Sequence, residues 1–256
     1  STGNDISFSS TINGAKAFTV NAGVGAITFN STIGATTNLT SLSLTTSHAT
    51  GITLSGNVTT TGSQTYNGKT TLAATPITLT TTNSDVSFGG TLNGNATGNA
   101  LTIAAGTGSV TFTGAVGGSY VLGATAITAA TTTNSSTWVG NSTLGITGNA
   151  VINGAISGIT SLSISGTTSL GANVTTTAVG GQTYSGAVTI TGSAVTLNAS
   201  STGVVLFSST VNSAANAANL LTVTSTSGNV TFTGVVGGGT NGALGALTVN
   251  STGTTT

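Results

Sequence analysis

The strongest constraint on the fold is that the chain repeats itself. The stretch GSVTFTGAVGG at residues 108–118 returns as GNVTFTGVVGG at 228–238, and GSQTYNGKTTL at 62–72 returns as GGQTYSGAVTI at 180–190. Both pairs give a long repeat of about 120 residues. Self-similarity on this scale is typical of architectures that stack one supersecondary unit on the next.

The phase of the long repeat is informative as well. ISFSSTIN at 6–13 resembles VSFGGTLN at 86–93 and VLFSSTVN at 205–212, which predicts that the chain begins in the middle of a repeat. Residues 119–155 then form an insert that has no counterpart in the first interval. Because stacked coils tolerate the gain or loss of part of a repeat, we predict one continuous β-solenoid over residues 1–256.

A shorter period lies within the long one. Neighbouring aromatic residues recur at intervals of about 20–25 residues, and the short apolar runs between them are separated by Gly, Asn-Gly or Ser-Gly turn signals. Three short strands and three turns per period describe one coil of a parallel β-helix. We expect one set of rings to stack in its core: Phe8, Phe29, Tyr66, Phe88, Phe112, Tyr184, Phe207 and Phe232.

The alternation within strands predicts which side chains point inward. In the stretch VTF, Val110 and Phe112 are apolar and flank Thr111. Successive side chains of a strand point to opposite faces, so Val and Phe are expected inside and Thr outside. Leu206 in VLF departs from this pattern and indicates an outer apolar contact.

Differences between the two copies separate surface from interior. Lys69 in one copy is replaced by Ala187 in the other, which predicts a place that faces water. Leu72 and Ile190 hold a place that stays apolar, which predicts burial.

The composition excludes several classes of protein. The 256 residues include two lysines, two aspartates and one histidine, with no arginine, glutamate, cysteine or methionine, so only 2% are charged. An ordinary globular domain is about a quarter charged. No window approaches the roughly 18 apolar residues of a spanning helix, and 37% hydrophobic residues in alternating patterns argue against disorder. Ordered β structure is the prediction.

The sequence resembles a known group of proteins. GGQTYSGAVTI, GNVTFTGVVGG and ANLLTVTSTSGNVTF are similar to the β-strand repeats of giant bacterial surface proteins in the filamentous haemagglutinin-like adhesin group. The resemblance covers nearly the whole chain. It implies a right-handed parallel β-helix, secretion to the cell surface, and a role in adhesion, biofilm or an extracellular fibre. The opening STGNDISFSS has no signal-peptide pattern, so we expect a mature product or a segment of a longer protein.

Few residues could carry chemistry. Asp5 and Asp85 each precede an SF strand, which predicts a turn role in place of a catalytic pair. His48 lies in the polar stretch TTSHATG without a second metal ligand, and Lys16 and Lys69 are too few for a nucleic-acid track. We expect no catalytic, cofactor-binding or metal-binding residue and no enzyme activity.

The two remaining features concern Trp and Thr. Trp138 is the only tryptophan, and core packing or a coil-end cover is favoured over a sugar-stacking platform. Stretches such as VTFT, TLTTT and VTTT could form a Thr-rich face that binds ice or carbohydrate, although Thr is also the ordinary exterior residue of a neutral solenoid.

These observations predict an all-β protein, a β-solenoid with about 20–25 residues per coil. Its expected function is that of a structural segment of an extracellular or cell-surface stalk, fibre, filament or sheath. The expected partners are further copies of the chain, with host or environmental surface glycans as the other class and with neither nucleic acid nor a membrane-spanning segment. The alternative is an adhesin with a carbohydrate- or ice-binding Thr-rich face.

Overall fold

The backbone forms strands because its apolar residues are mostly β-branched or aromatic and alternate with Thr, Ser and Asn. The computed structural model describes residues 3–200, 202–238 and 242–256. Every regular element in these ranges is a β-strand, and each register is parallel. The predicted fold class is confirmed: stacked parallel strands form β-solenoid turns of roughly 22 residues.

The chain divides into two compact units, Ser1–Thr131 and Thr132–Thr256, each described here by itself. The strands that begin in the first unit are β1 (Ile6–Phe8), β2 (Ala17–Gly23), β3 (Ile27–Phe29), β4 (Ser41–Thr46), β5 (Ile52–Leu54), β6 (Val58–Thr59), β7 (Gln64–Asn67), β8 (Thr70–Leu72), β9 (Ile77–Thr80), β10 (Val86–Phe88), β11 (Leu92–Gly94), β12 (Asn99–Ala104), β13 (Ser109–Phe112) and β14 (Leu122–Asn134).

The strands of the second unit differ in length, because the long ones continue around a corner of the coil. They are β15 (Trp138–Val139), β16 (Thr143–Ile152), β17 (Ile156–Ile164), β18 (Thr168–Leu170), β19 (Val174–Tyr184), β20 (Val188–Ile190), β21 (Ala194–Ala199), β22 (Val205–Phe207), β23 (Val211–Ser213), β24 (Leu220–Ser225), β25 (Val230–Phe232) and β26 (Ala246–Ser251).

Parallel pairing in register gives the first unit three faces. Face A contains β1, β3, β5, β8 and β11. Face B contains β2, β4, β7, β10 and β13, and face C contains β6, β9, β12 and β14. Each face therefore takes one strand from each successive turn of the chain.

The second unit has the same three faces. Face A contains the end of β16 with β18, β20 and β23, and face B contains parts of β16, β17 and β19 with β22 and β25. Face C contains β15, parts of β17 and β19, and then β21, β24 and β26. The long strands β17 and β19 contribute to two faces because they continue around a corner.

Similar phrases of the sequence lie on different faces. Ile6 of ISFSSTIN pairs with Ile27 on face A, whereas Val86 of VSFGGTLN pairs with Gln64 on face B. The two strands present an apolar residue, Ser and Phe in the same order. The phrase therefore determines which side chains point inward, and it does not determine the face.

The interior follows the predicted alternation. Val110 and Phe112 are fully buried, and Thr111 between them is only half-buried. Leu72 and Ile190 are buried, as predicted. Burial of one such apolar side chain stabilises a fold by about 1.5–3 kcal/mol. In the part of the chain that the structure describes, no helix has the length and apolar character to cross a membrane.

Candidate functional site

The aromatic residues of the first unit form two stacks. Phe8 lies on Phe29 on face A, with ring centroids 4.8 Å apart and planes 8° from parallel. On face B, Phe88 lies between Tyr66 and Phe112, at centroid distances of 4.9 and 5.3 Å. Parallel pairing in register places each ring directly over the ring of the neighbouring turn, because the side chains leave equivalent backbone positions.

The second unit has one corresponding stack on face B. Phe207 lies between Tyr184 and Phe232, at centroid distances of 5.2 and 4.9 Å. Tyr184 and Phe207 are buried, and Phe232 is half-buried. All eight rings named from the sequence thus lie in stacks, although these are three separate stacks and not one set. Phe18 also contacts Phe8 and Phe29 edge-on, at centroid distances of 5.5 and 6.5 Å.

A buried glutamine accompanies the tyrosine of the first unit, and sequence reasoning missed it. The Tyr66 hydroxyl donates to Gln64 Oε1 at 2.9 Å. Gln64 Nε2 donates to the Thr80 carbonyl at 2.8 Å, to the Val58 carbonyl at 3.3 Å and to Thr60 Oγ1 at 3.3 Å. The signal that could have found this group is the phrase QTY, in which Gln occupies an inward position in both copies.

The second unit has the same pair with fewer partners. The Tyr184 hydroxyl donates to Gln182 Oε1 at 2.9 Å, and Gln182 Nε2 donates to the carbonyls of Val174 and Asn198 at 3.2 and 3.0 Å. Burial raises the pKa of both tyrosine hydroxyls far above the ordinary value, because the phenolate would lack hydration. Each pair is therefore a neutral hydrogen-bonded group that joins backbone of successive turns.

One threonine explains the difference between the two pairs. The stretch VTTTGSQTY at 58–66 becomes VTTTAVGGQTY at 174–184, which is longer between the threonines and the glutamine. Thr60 Oγ1 bonds with Gln64, whereas Thr176 Oγ1 is buried without a hydrogen-bond partner. The added residues separate Thr176 from Gln182 along the strand.

The two aspartates accept backbone hydrogen bonds from the next turn, which confirms their predicted turn role. Asp5 Oδ1 accepts from the Ala26 N–H at 2.7 Å, and Asp85 Oδ1 accepts from the Ser109 N–H at 2.7 Å. Asparagines at other corners accept in the same way: Asn13, Asn57, Asn149, Asn173 and Asn229. A carboxylate or amide oxygen at these corners therefore joins one turn to the next.

The remaining ionisable side chains lie at the surface. His48 Nδ1 accepts from the Thr50 N–H at 3.1 Å, so this ring also caps a turn. Lys16 and Lys69 are exposed, as predicted. Among residues 3–200, 202–238 and 242–256, no three His, Cys, Asp or Glu side chains lie close enough to hold a metal ion.

Two depressions of the second unit contain no ionisable side chain. One, of about 400 Å³, is lined by Val236, Gly237, Ala243, Leu244 and Leu247. The other, of about 290 Å³, is lined by residues 224–226 and 250–252. Neither is lined by a side chain of the kind that acts as a general acid or base near neutral pH.

Trp138 lies in the core. Its side chain is only 2% exposed, so the ring has no free face for a sugar. Core packing, one of the two preferred interpretations of this residue, is therefore what the structure shows.

Charge is distributed unequally between the two units. All five Lys, Asp and His residues lie in the first unit, and residues 132–256 contain none of the five ionisable types Lys, Arg, Asp, Glu and His. No known protein family matches the sequence, and neither a curated protein nor a solved structure is similar to it.

Proposed function

We propose that this chain is a structural segment of an extracellular bacterial β-solenoid protein that forms a stalk, fibre, filament or sheath by self-association. The observation that carries the proposal is the charge-free second unit. Neutral molecules lack the electrostatic repulsion that keeps proteins apart in solution. The resemblance to haemagglutinin-like adhesin repeats supports a location at the cell surface and a mechanical role without catalysis.

The interior suits a mechanical role. Ring stacks and buried Gln–Tyr pairs join consecutive turns, and backbone hydrogen bonds run from each strand to the next. These contacts are neutral, so added salt has little to screen. The proposed segment keeps its form over a wide range of salt concentration because hydrogen bonds and apolar packing supply its stability.

The strand edges offer one route to assembly. In the described part of the chain, β1 pairs only with β3, and β26 pairs only with β24. An unpaired edge presents free N–H and C=O groups to another strand. Further copies of the chain are the proposed partners at such edges and on the neutral outer faces.

Electron microscopy of the purified protein over a dilution series tests this proposal. We expect filaments or side-by-side bundles whose abundance rises with protein concentration and changes little between low and high salt. Isolated particles at every concentration would reject self-association and leave a passive spacer as the function.

A Thr-rich face that binds ice or carbohydrate is the second candidate. On face C of the second unit, β21, β24 and β26 place Thr196, Thr222 and Thr248 in one column. Asn198, Thr224 and Asn250 form the adjacent column. Columns about 6–7 Å apart, with rungs about 4.8 Å apart, form a small regular array of polar groups.

Ice shaping and glycan-array binding test the second candidate. A Thr222→Lys variant places a bulky charge in the middle of the array and should abolish either activity. The matched control is Thr231→Lys, which alters an outward position of face B. Equal activity of both variants, or none in the unaltered protein, would reject this face.

A further inference from the structure

We infer that Val204 and Leu206 on the outer side of β22 form a docking patch for the same pair on a second copy of this chain. This inference rests on the proposed self-association and specifies where it occurs. The two residues are called the β22 patch below.

The β22 patch points into solvent. Val205 and Phe207 are fully buried, so the alternating residues Val204 and Leu206 face outward. Val204 is 41% exposed, and Leu206 is half-buried. Val204, which directly precedes β22, and Leu206 within it thus leave an apolar surface that no described residue fully covers.

The neighbouring rungs of face B are polar or small. Leu206 lies between Thr183 of β19 and Thr231 of β25. Gly181 lies beside Val204, and a Cβ added there would fall 1.9 Å from the Val204 carbonyl oxygen. Because Gly181 has no side chain, it does not cover Val204 from the adjoining rung.

The first unit shows that the fold does not require the patch. The Gln64 N–H donates to the Asp85 carbonyl at 2.9 Å, and the Gln182 N–H donates to the Val204 carbonyl at 2.8 Å. Asp85 and Val204 are therefore equivalent, and Ser87 corresponds to Leu206 on the outer side. The same backbone thus takes a polar pair in one copy of the repeat and an apolar pair in the other.

The absence of charge favours a second copy as the occupant. A charged partner would gain nothing from the charge-free second unit and would lose hydration on docking. Face B also repeats every rung, at about 4.8 Å, and another copy presents the same period. A two-fold arrangement places the β22 patch of one copy on that of the other.

The size of face B sets the expected affinity. Five rungs about 4.8 Å apart, each of three or four residues and so about 10–13 Å long, cover roughly 250–300 Å² per partner. A stable complex usually buries about 800 Å² per partner. The pairwise contact is therefore weak and depends on protein concentration, and the apolar pair, on the fourth of the five rungs, contributes most of the affinity.

Sedimentation velocity over a concentration series provides the test. The variant V204S/L206S removes the apolar surface without adding charge, and we expect at least about tenfold weaker association than in the unaltered protein. The control is Val235→Ala, which removes an exposed apolar side chain, 62% accessible, at another corner. Its equivalent in the first unit is Ala115, so the backbone accepts Ala there, and association should not change.

A variant that should gain association complements the variant that should lose it. D85V/S87L installs the apolar pair in the first unit and should strengthen association or produce larger assemblies. Urea unfolding of each variant separates a docking effect from a folding defect.

The outcomes distinguish the inference from the proposed function. If the unaltered protein never associates, both fail. If it associates and V204S/L206S associates equally well, or if Val235→Ala weakens association as much, only the β22 patch is rejected. The β22 patch is supported if association weakens in V204S/L206S but not in Val235→Ala, and strengthens in D85V/S87L.

Discussion

The equivalent portions of the two long repeats, residues 62–118 in the first unit and 180–238 in the second, have nearly the same interior and different surfaces. Both place Tyr and then two Phe residues in a face B stack, and both bury a Gln beneath the Tyr hydroxyl. On the outer side, Lys69 is replaced by Ala187, and Asp85 is replaced by Val204.

This difference has a physical cause. An inward side chain must fit over its neighbours in the turns on both sides, so a change of volume or polarity is costly. Most outward side chains have water as their neighbour, and substitutions there usually change stability by less than about 0.5 kcal/mol. Asp85, which accepts from the Ser109 N–H, is an exception. Functional differences between the copies are therefore expected on the surface.

The largest expected loss of stability comes from removing the middle ring of each three-ring stack on face B. We expect Phe88→Ala and Phe207→Ala each to lower the free energy of unfolding by about 3–5 kcal/mol, because each leaves a cavity between two rings. Urea denaturation followed by circular dichroism measures the loss. Thr111→Ala, a change on the solvent side of β13, is the control. Losses that differ by more than about 2 kcal/mol between the two Phe variants would show that the interiors are not equivalent.

The two buried Gln–Tyr pairs allow a second comparison of the interiors of the two units. Gln64→Leu leaves the buried Tyr66 hydroxyl without an acceptor, and we expect a cost of about 1–3 kcal/mol. Gln182→Leu should cost less by about 1 kcal/mol, since Gln182 lacks a bond like the one from Gln64 to Thr60. Thermal unfolding of the two variants makes the comparison.

A double variant serves as the control for this prediction. Adding Tyr66→Phe to Gln64→Leu removes the orphaned hydroxyl and should restore part of the stability. A double variant less stable than Gln64→Leu alone would contradict the assigned hydrogen bond.

The last effect has no influence near neutral pH and appears only above about pH 10, as a loss of stability in alkali. The pKa of Tyr66 and of Tyr184 is raised by burial from the ordinary value of 10.0, so the folded state favours the protonated hydroxyls. This stabilisation is complete below pH 10 and is lost as the pH rises towards the raised pKa, at about 1.4 kcal/mol per pH unit for each tyrosine. Unfolding free energies between pH 9 and about 12 measure the slope. Tyr66→Phe and Tyr184→Phe should each remove half of this pH dependence. If neither change alters the slope, these two tyrosines are not its source.

Much of the fold could be read from the sequence. The alternation around Val110 and Phe112, the burial of Leu72 and the exposure of Lys69 follow from single-strand periodicity. Parallel stacking followed from the repeat. These features depend on neighbours along the chain or one coil away, where the pattern is regular.

Other features depend on geometry that the pattern does not contain. The face occupied by Ile6 could not be read, because faces A and B use the same inward pattern. The role of Gln64 required the position of the Thr80 carbonyl in the next turn. The sequence marks Leu206 as an exception to the alternation. Only the strand register shows that the equivalent outward residue of the first unit is the polar Ser87.

The scarcity of lysine and arginine also affects how the protein responds to proteases. Proteases of the trypsin type cut after these two residues, and the chain offers them only Lys16 and Lys69. Both side chains are exposed, so digestion can begin there. From residue 70 to residue 256 there is no further cleavage site of this kind. A digest that trims the first 69 residues would leave the rest as one long, protease-resistant fragment.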